Sequence, residues 1–261
     1  MKTINKLMPA VVLLVLLVPA VFLFGNPLSY ALIYLRGNAY LDDTYPELNV
    51  KVSDISYDFK RGGYVAEAAS PTSRDTHFQL YTDWFGNISA DQYHYVASGI
   101  NTAERIGRDY RALADSILDS GDFPWARSIA YGELTFRGGN EVDSRELDYG
   151  MDFLSLELDK AYNIQALGAA HGRLVLFLHD EQVTVERAAE LLLELKEYLD
   201  EKGLIFRGIH FTLCQPLNEL GQNTGEQLQL VDFLYEDIYE EGLIERVAEN
   251  RDRSIECWPE A

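Results

Sequence analysis

Residues 7–35 form an apolar run of 29 residues without one charged side chain, bracketed by Lys2 and Lys6 on one side and Arg36 on the other. Nothing else in the chain constrains its folding as much. As a helix, residues 7–24 would rise about 27 Å, close to the ~30 Å hydrocarbon core of a bilayer. Pro9 falls in a first turn, Pro19 predicts a kink, and Pro27 follows Gly25-Asn26 as a natural stop. The lysines before the run place the N-terminus in the cytoplasm. The run therefore predicts a transmembrane signal-anchor: a single pass through the cell membrane, the bilayer contacted through residues 7–35, and an extracytoplasmic body. Two alternatives stand beside it. One is a cleaved signal peptide ending near Ser29-Tyr30-Ala31, and the other is a buried helix of a soluble body.

Formal net charge is −20, with 42 acidic and 22 basic residues. A surface of that sign repels phosphate backbones, so nucleic acid is not an expected partner. Two cysteines leave two readings. A Cys214–Cys257 disulfide would close a loop of about 43 residues, and otherwise Cys214 is buried at a strand end with Cys257 unpaired in the tail.

After the run the side-chain period changes to two. Val50 and Val52 share one parity, and Ile55, Tyr57 and Phe59 the other, so a bulge is predicted at Ser53-Asp54. Lys60-Arg61-Gly62-Gly63 reads as a hairpin turn, followed by strands at residues 64–68 and 78–84. Ser89 and Gln92 have capping-box spacing. Apolar residues from Tyr93 through Ile117 then recur at spacings of three and four, predicting one long helix over a three-stranded antiparallel sheet. Gly121 ends that helix. The expected organisation is a tail and anchor at 1–36, an N-terminal α+β module at 37–121 and a C-terminal α+β module at 122–261.

The second module reads β-α-β-α-β-β-α. A strand is predicted at residues 131–136, a turn at Gly138-Gly139-Asn140, and a helix capped by Ser144 that runs to Ala161. Residues 174–178 are wholly apolar, as expected of a central strand buried on both faces. Residues 184–202 form the clearest amphipathic helix, residues 209–213 and 228–234 are strands, and residues 238–250 a last helix.

The sequence lacks a nucleophile elbow, HExxH, CxxC, P-loop or GxGxxG. The most suggestive cluster is His179-Asp180-Glu181, placed between an apolar strand and a helix start, where α/β proteins often hold ligands. His210 lies on a strand that can neighbour it. Together His179, Asp180 and His210 are candidates for acid–base or metal chemistry, although a polar loop ending a buried strand is the simpler account of them.

Taken together, Tyr40-Leu41 through Tyr45-Pro46, VSDISYDFK, GYVAEAASP, FQLYTD, FGNIS and ADQY resemble a recurring N-terminal module, and FLYEDIYEEGLIERV a matching C-terminal one. On these segments the chain resembles the YfjL-like proteins, small membrane-anchored proteins of Gram-positive bacteria. The resemblance implies a bacterial envelope protein with an N-terminal anchor and an α+β body outside the membrane, and it carries over no catalytic residue. The functional expectation is a non-enzymatic binding or interaction module with an envelope protein as partner and no cofactor or metal. The alternative is a hydrolase or metal-dependent enzyme centred on His179, Asp180 and His210.

Overall fold

The computed structural model describes residues 25–137, 148–218, 220–222 and 225–257, with side chains described as far as residue 253. The chain divides into two compact units. The first comprises residues 1–102 with 157–159, and the second residues 103–156 with 160–261. The units thus part between Thr102 and Ala103, where the sequence reading put the boundary after residue 121.

The first unit opens with helix α1, Pro27–Thr44. Asn26 caps it, its side chain accepting the Leu28 amide at 3.1 Å, and proline occupies the first turn, where a missing N–H costs nothing. Ser29, Ile33, Gly37 and Leu41 recur every four residues and are all buried. They settle on the sheet formed by β1 (Lys51–Asp58), β2 (Gly63–Ala69), β3 (His77–Thr82) and β4 (Ile88–Asp91), antiparallel in that order. A Cβ on Gly37 would stand 2.9 Å from the Val52 side chain, so the helix lies as close to the sheet as a glycine permits. The core joins Ile33 and Leu41 of the helix to Val52, Tyr64, Ala66, Ala68, Phe78 and Leu80 of the sheet.

This arrangement corrects the expected transmembrane helix. Residues 27–35 belong to a helix that packs on a sheet, and among the described residues no helix is long and apolar enough to cross a membrane. Residues 7–24 lie outside the described residues. Among the described residues the membrane, transmembrane and signal-anchor readings therefore have no span to rest on.

The sheet has four strands, not three. Asp83 accepts the amides of Phe85 and Asn87 at 2.8 and 2.9 Å, and Gly86 takes φ +78°. That turn returns residues 88–91 alongside β3. Ser89, expected as a helix cap, instead sits in β4 and donates to the Tyr81 carbonyl. The bulge after Val52 and the hairpin turn at residues 59–62 are as expected.

The long helix is also corrected. It is broken at Ser98-Gly99, where Gly99 has φ +78°, after a single turn at His94–Ala97. Helix α2, Ile100–Leu118, follows, and its Ile106, Tyr110, Ala114, Ile117 and Leu118 join the core of the second unit. The cover of the first sheet is α1, whose every-fourth-residue pattern lies inside the apolar run.

The second unit holds β5 (Arg127–Leu134), a small parallel pair β6 (Phe136–Arg137) and β7 (Met151–Asp152), α3 (Ile164–His171), β8 (Gly172–His179), α4 (Val185–Lys202), β9 (Gly208–Cys214), β10 (Gln227–Leu234) and α5 (Leu243–Cys257). The sheet order is β10-β9-β8-β5. β8 and β9 are parallel and joined through α4, and the other neighbours are antiparallel. The turn at Gly138-Gly139-Asn140 and the Ser144 cap lie outside the described residues. The helix expected to follow them is instead a short strand, a 3-10 turn at Phe153–Ser155 and irregular chain, with Asp159 at φ +57°. Leu174, Leu176 and Leu178 of β8 and Ile209, Phe211 and Leu213 of β9 enter one core with apolar residues of α2, α4 and α5. Period two turns Arg173, Val175, Phe177 and His179 to the other face, together with His210, Thr212 and Cys214. That second face sets the chemistry of the unit.

Candidate functional site

The second face of the C-terminal sheet is polar at both ends. At the amino end of β8, Arg173 pairs in register with Glu133 of β5, and its Nε donates to the Glu133 carboxylate at 2.8 Å. On its other side the guanidinium approaches Asp232 of β10 at 3.9 Å. Asp232 sits in a bulge. Leu230 pairs with Phe211 and Phe233 with Ile209, so Val231 and Asp232 together oppose His210. The aspartate takes φ +49°, a conformation that strains most side chains but that Asp and Asn tolerate best. Tyr149 reaches it with a hydroxyl at 3.5 Å and is itself tied down where the His171 ring nitrogen Nδ1 meets its carbonyl at 2.6 Å.

The electrostatics follow from partial burial. Burial pushes the Asp232 carboxyl above the usual carboxylate range, although Arg173 and His210 pull the other way. Burial likewise lowers the His210 imidazole and raises the Tyr149 phenol. The Gln229 amide nitrogen lies 2.7 Å from His210 Nε2. An amide nitrogen only donates, so Nε2 accepts and the imidazole proton resides on Nδ1. Its ring stacks on Phe177, 6.4 Å between centroids. Next along the face, Thr212 is 1 % exposed, and its hydroxyl has no hydrogen-bond partner among the described residues.

At the carboxyl ends of β8 and β9 the face opens into a cleft of about 490 Å³, lined by His179, Asp180, Glu181, Gln182, Arg187 and Glu190, with Pro216 at its side. His179 ends β8, its amide donating to the Ala126 carbonyl at 2.8 Å. Its Nδ1 lies 3.1 Å from the Gln215 carbonyl, whereas Nε2 is buried with no partner among the described residues. Asp180 accepts the Gln182 amide and Arg187 Nε, each at 2.9 Å. Those bonds, the Gln182 amide first, hold its carboxyl below the usual range against the effect of burial. Arg187 also reaches Glu190 at 3.1 Å and Glu194 at 3.7 Å.

Of the three residues singled out in the sequence, the structure brings His179 and Asp180 to one cleft and leaves His210 apart. His210 is in register with Val175, and His179 with Cys214. Four residues of strand separate the two histidines, about 13 Å at the usual rise. Among the described residues no group of three His, Cys, Asp or Glu side chains is placed to hold a metal ion. Cys214 is buried at the end of β9, and the side chain of Cys257 lies outside the described residues. Glu133, Tyr149, Arg173 and Asp232 were not anticipated. Their signal was present, since Arg173 opens an apolar strand and Asp232 interrupts another, and a charge in such a place marks an exposed or paired face.

Two family models match the chain: the YfjL-like N-terminal domain over residues 1–92 and the YfjL-like C-terminal domain over residues 109–248. No curated protein and no solved structure matches it. The two models cover most of the sequence and meet the two units from either side, so the chain belongs to the YfjL-like family.

Proposed function

We propose that the protein is a non-enzymatic binding module whose C-terminal cleft receives a basic segment of a partner protein. One observation carries this reading. The cleft at the carboxyl ends of the parallel strands sets three carboxylates, Asp180, Glu181 and Glu190, against the single guanidinium of Arg187. Such an open, acidic surface at the end of a parallel pair suits a lysine or arginine side chain. The alternative, a hydrolase or metal-dependent enzyme on His179, Asp180 and His210, needs those side chains around one centre. The strand register and the engagement of Asp180 by Arg187 speak against that.

The test is an NMR titration of the full chain with a tri-arginine peptide. Amide shifts centred on residues 179–182, reduced at least fivefold in Glu181→Gln/Glu190→Gln, are the expected outcome for two lost charge contacts of about 0.5–1 kcal/mol each. Shifts spread evenly over the acidic surface, or equal shifts with a tri-glutamate peptide, would contradict the proposal.

A further inference from the structure

Besides the cleft at His179, the second unit holds a more enclosed cavity of about 280 Å³ at the outer edge of β10, where the strand meets α5. Asp232 of the bulge and Asp237, which closes the 3-10 turn Tyr235–Asp237, line it from one side. Arg246, Glu249, Asn250 and Arg253 line it from the other, and their spacings of three and four make them one side of the helix. Part of this lining is fixed by the chain itself. Asn250 is buried, accepts the Val231 amide at 3.0 Å and donates to the Val231 carbonyl at 3.1 Å, which holds the bulge that presents Asp232. The Arg246 guanidinium donates to the Asp237 carbonyl at 3.0 Å and to the Tyr239 and Glu241 carbonyls at 2.7 Å each. The other charges have no such use. Among the described residues the side chains of Asp237, Glu249 and Arg253 make no hydrogen bond or ion pair. Asp232, at φ +49°, has only the long contacts to Tyr149 and Arg173, and its burial goes uncompensated. A strained aspartate and unpaired charges of both signs around one cavity are costs that a bound group offsets.

We propose that this cavity binds a free α-amino acid with a cationic side chain. Arg253 takes the α-carboxylate in a charge-assisted pair, and Asp232, Asp237 and Glu249 take the two cationic groups. The signs of the lining choose this class. Three carboxylates against two guanidiniums leave the cavity at −1, which a ligand of net charge +1 balances. A simple cation leaves Arg253 unanswered, and a simple anion faces three carboxylates. Phe233 and Leu234 give the methylene stem of such a side chain an apolar wall. The site is separate from the cleft at His179 and does not rest on the function proposed for it.

An NMR titration of the full chain with L-lysine tests it. The expected result is a set of amide shifts centred on residues 231–237 and 249–253 that saturates in the millimolar range. Two probes should bind at least about tenfold more weakly: n-butylamine, which keeps the side-chain cation and lacks both α-groups, and L-glutamate, whose side chain has the wrong sign. Arg253→Gln changes an exposed helix position and should keep the amide spectrum of the fold. It should weaken L-lysine about fivefold and leave n-butylamine unchanged. No saturable shift with L-lysine overturns the proposal. Equal binding of n-butylamine overturns it in favour of a site for simple cations. Shifts confined to residues 179–182 overturn it by placing the amino acid in the other cleft, and an undiminished affinity of Arg253→Gln for L-lysine overturns it by removing the carboxylate contact.

Discussion

Two aspartates, one in each unit, show how the same side chain comes to opposite states. Asp91 ends β4, where it accepts the Tyr40 hydroxyl at 2.5 Å, the Tyr45 hydroxyl at 2.9 Å and the Tyr93 amide at 3.0 Å. Burial works to raise its carboxyl, yet these donors hold it below the usual range. Asp232 is also partly buried. Its nearest cation is Arg173 at 3.9 Å, and the Tyr149 hydroxyl stands at 3.5 Å, the limit of a hydrogen bond. There burial prevails and the carboxyl is raised. Two differences set the sign: Asp232 is the more deeply buried, and Asp91 has three short donors aimed at its charged form.

The largest expected effect follows from removing those acceptors. Asp91→Ala leaves two tyrosine hydroxyls without their partner amid the ring contacts of Tyr45 with Phe78 and Tyr93, and it should cost about 2–3 kcal/mol in urea unfolding at neutral pH. Asp232→Asn, at a position where Asn also tolerates a positive φ, should change stability by less than about 0.5 kcal/mol or raise it. A cost at Asp232 equal to that at Asp91 would erase the distinction.

The pH dependence has opposite signs. The folded pKa of Asp91 is depressed, so its contribution is present above the unfolded value of about 3.9 and is lost as pH falls through the lower folded value. Asp232 is raised, so its contribution is complete below about 3.9 and is lost as pH rises through the higher folded value. Asp91→Asn should therefore flatten the acid limb of the stability curve, and Asp232→Asn should improve stability only above pH 4. His210 is lowered by burial, so it favours the fold above about 6.5, and that contribution is lost as pH falls below it. His210→Gln should reduce the loss of stability between neutral pH and pH 5. Smaller again, Tyr45→Phe should cost about 1 kcal/mol by deleting one neutral donor from Asp91. Arg173→Met should lift the Asp232 carboxyl further, visible in its own NMR titration.

Local signals made much of this fold legible. The parity change at Ser53-Asp54 gave a bulge, Gly62-Gly63 a hairpin, and the apolar patterns after residue 172 the β-α-β-β-α run that closes the second unit. What failed were patterns that two structures share. Ser89 with Gln92 fits a capping box and equally fits a strand returning from the Asp83 turn. The stripe from Ile106 to Ile117 announced that α2 buries one side, but not which sheet it covers. Mean hydropathy over residues 27–35 hid a pattern with Ser29, Ile33, Gly37 and Leu41 inward, because the outward side is apolar as well. In the candidate site, His179 and Asp180 stood out because they end an apolar strand. Arg173 and Asp232 did not, since a charge in an apolar strand marks an exposed or paired face but not the partner that strand register brings.

The most direct measurement is a carboxyl-carbon NMR titration of the full chain that follows Asp91 and Asp232 in one sample. Asp91 should titrate below the usual aspartate value of about 3.9 and Asp232 above it. Titration of both near that value, or in the reverse order, would contradict it.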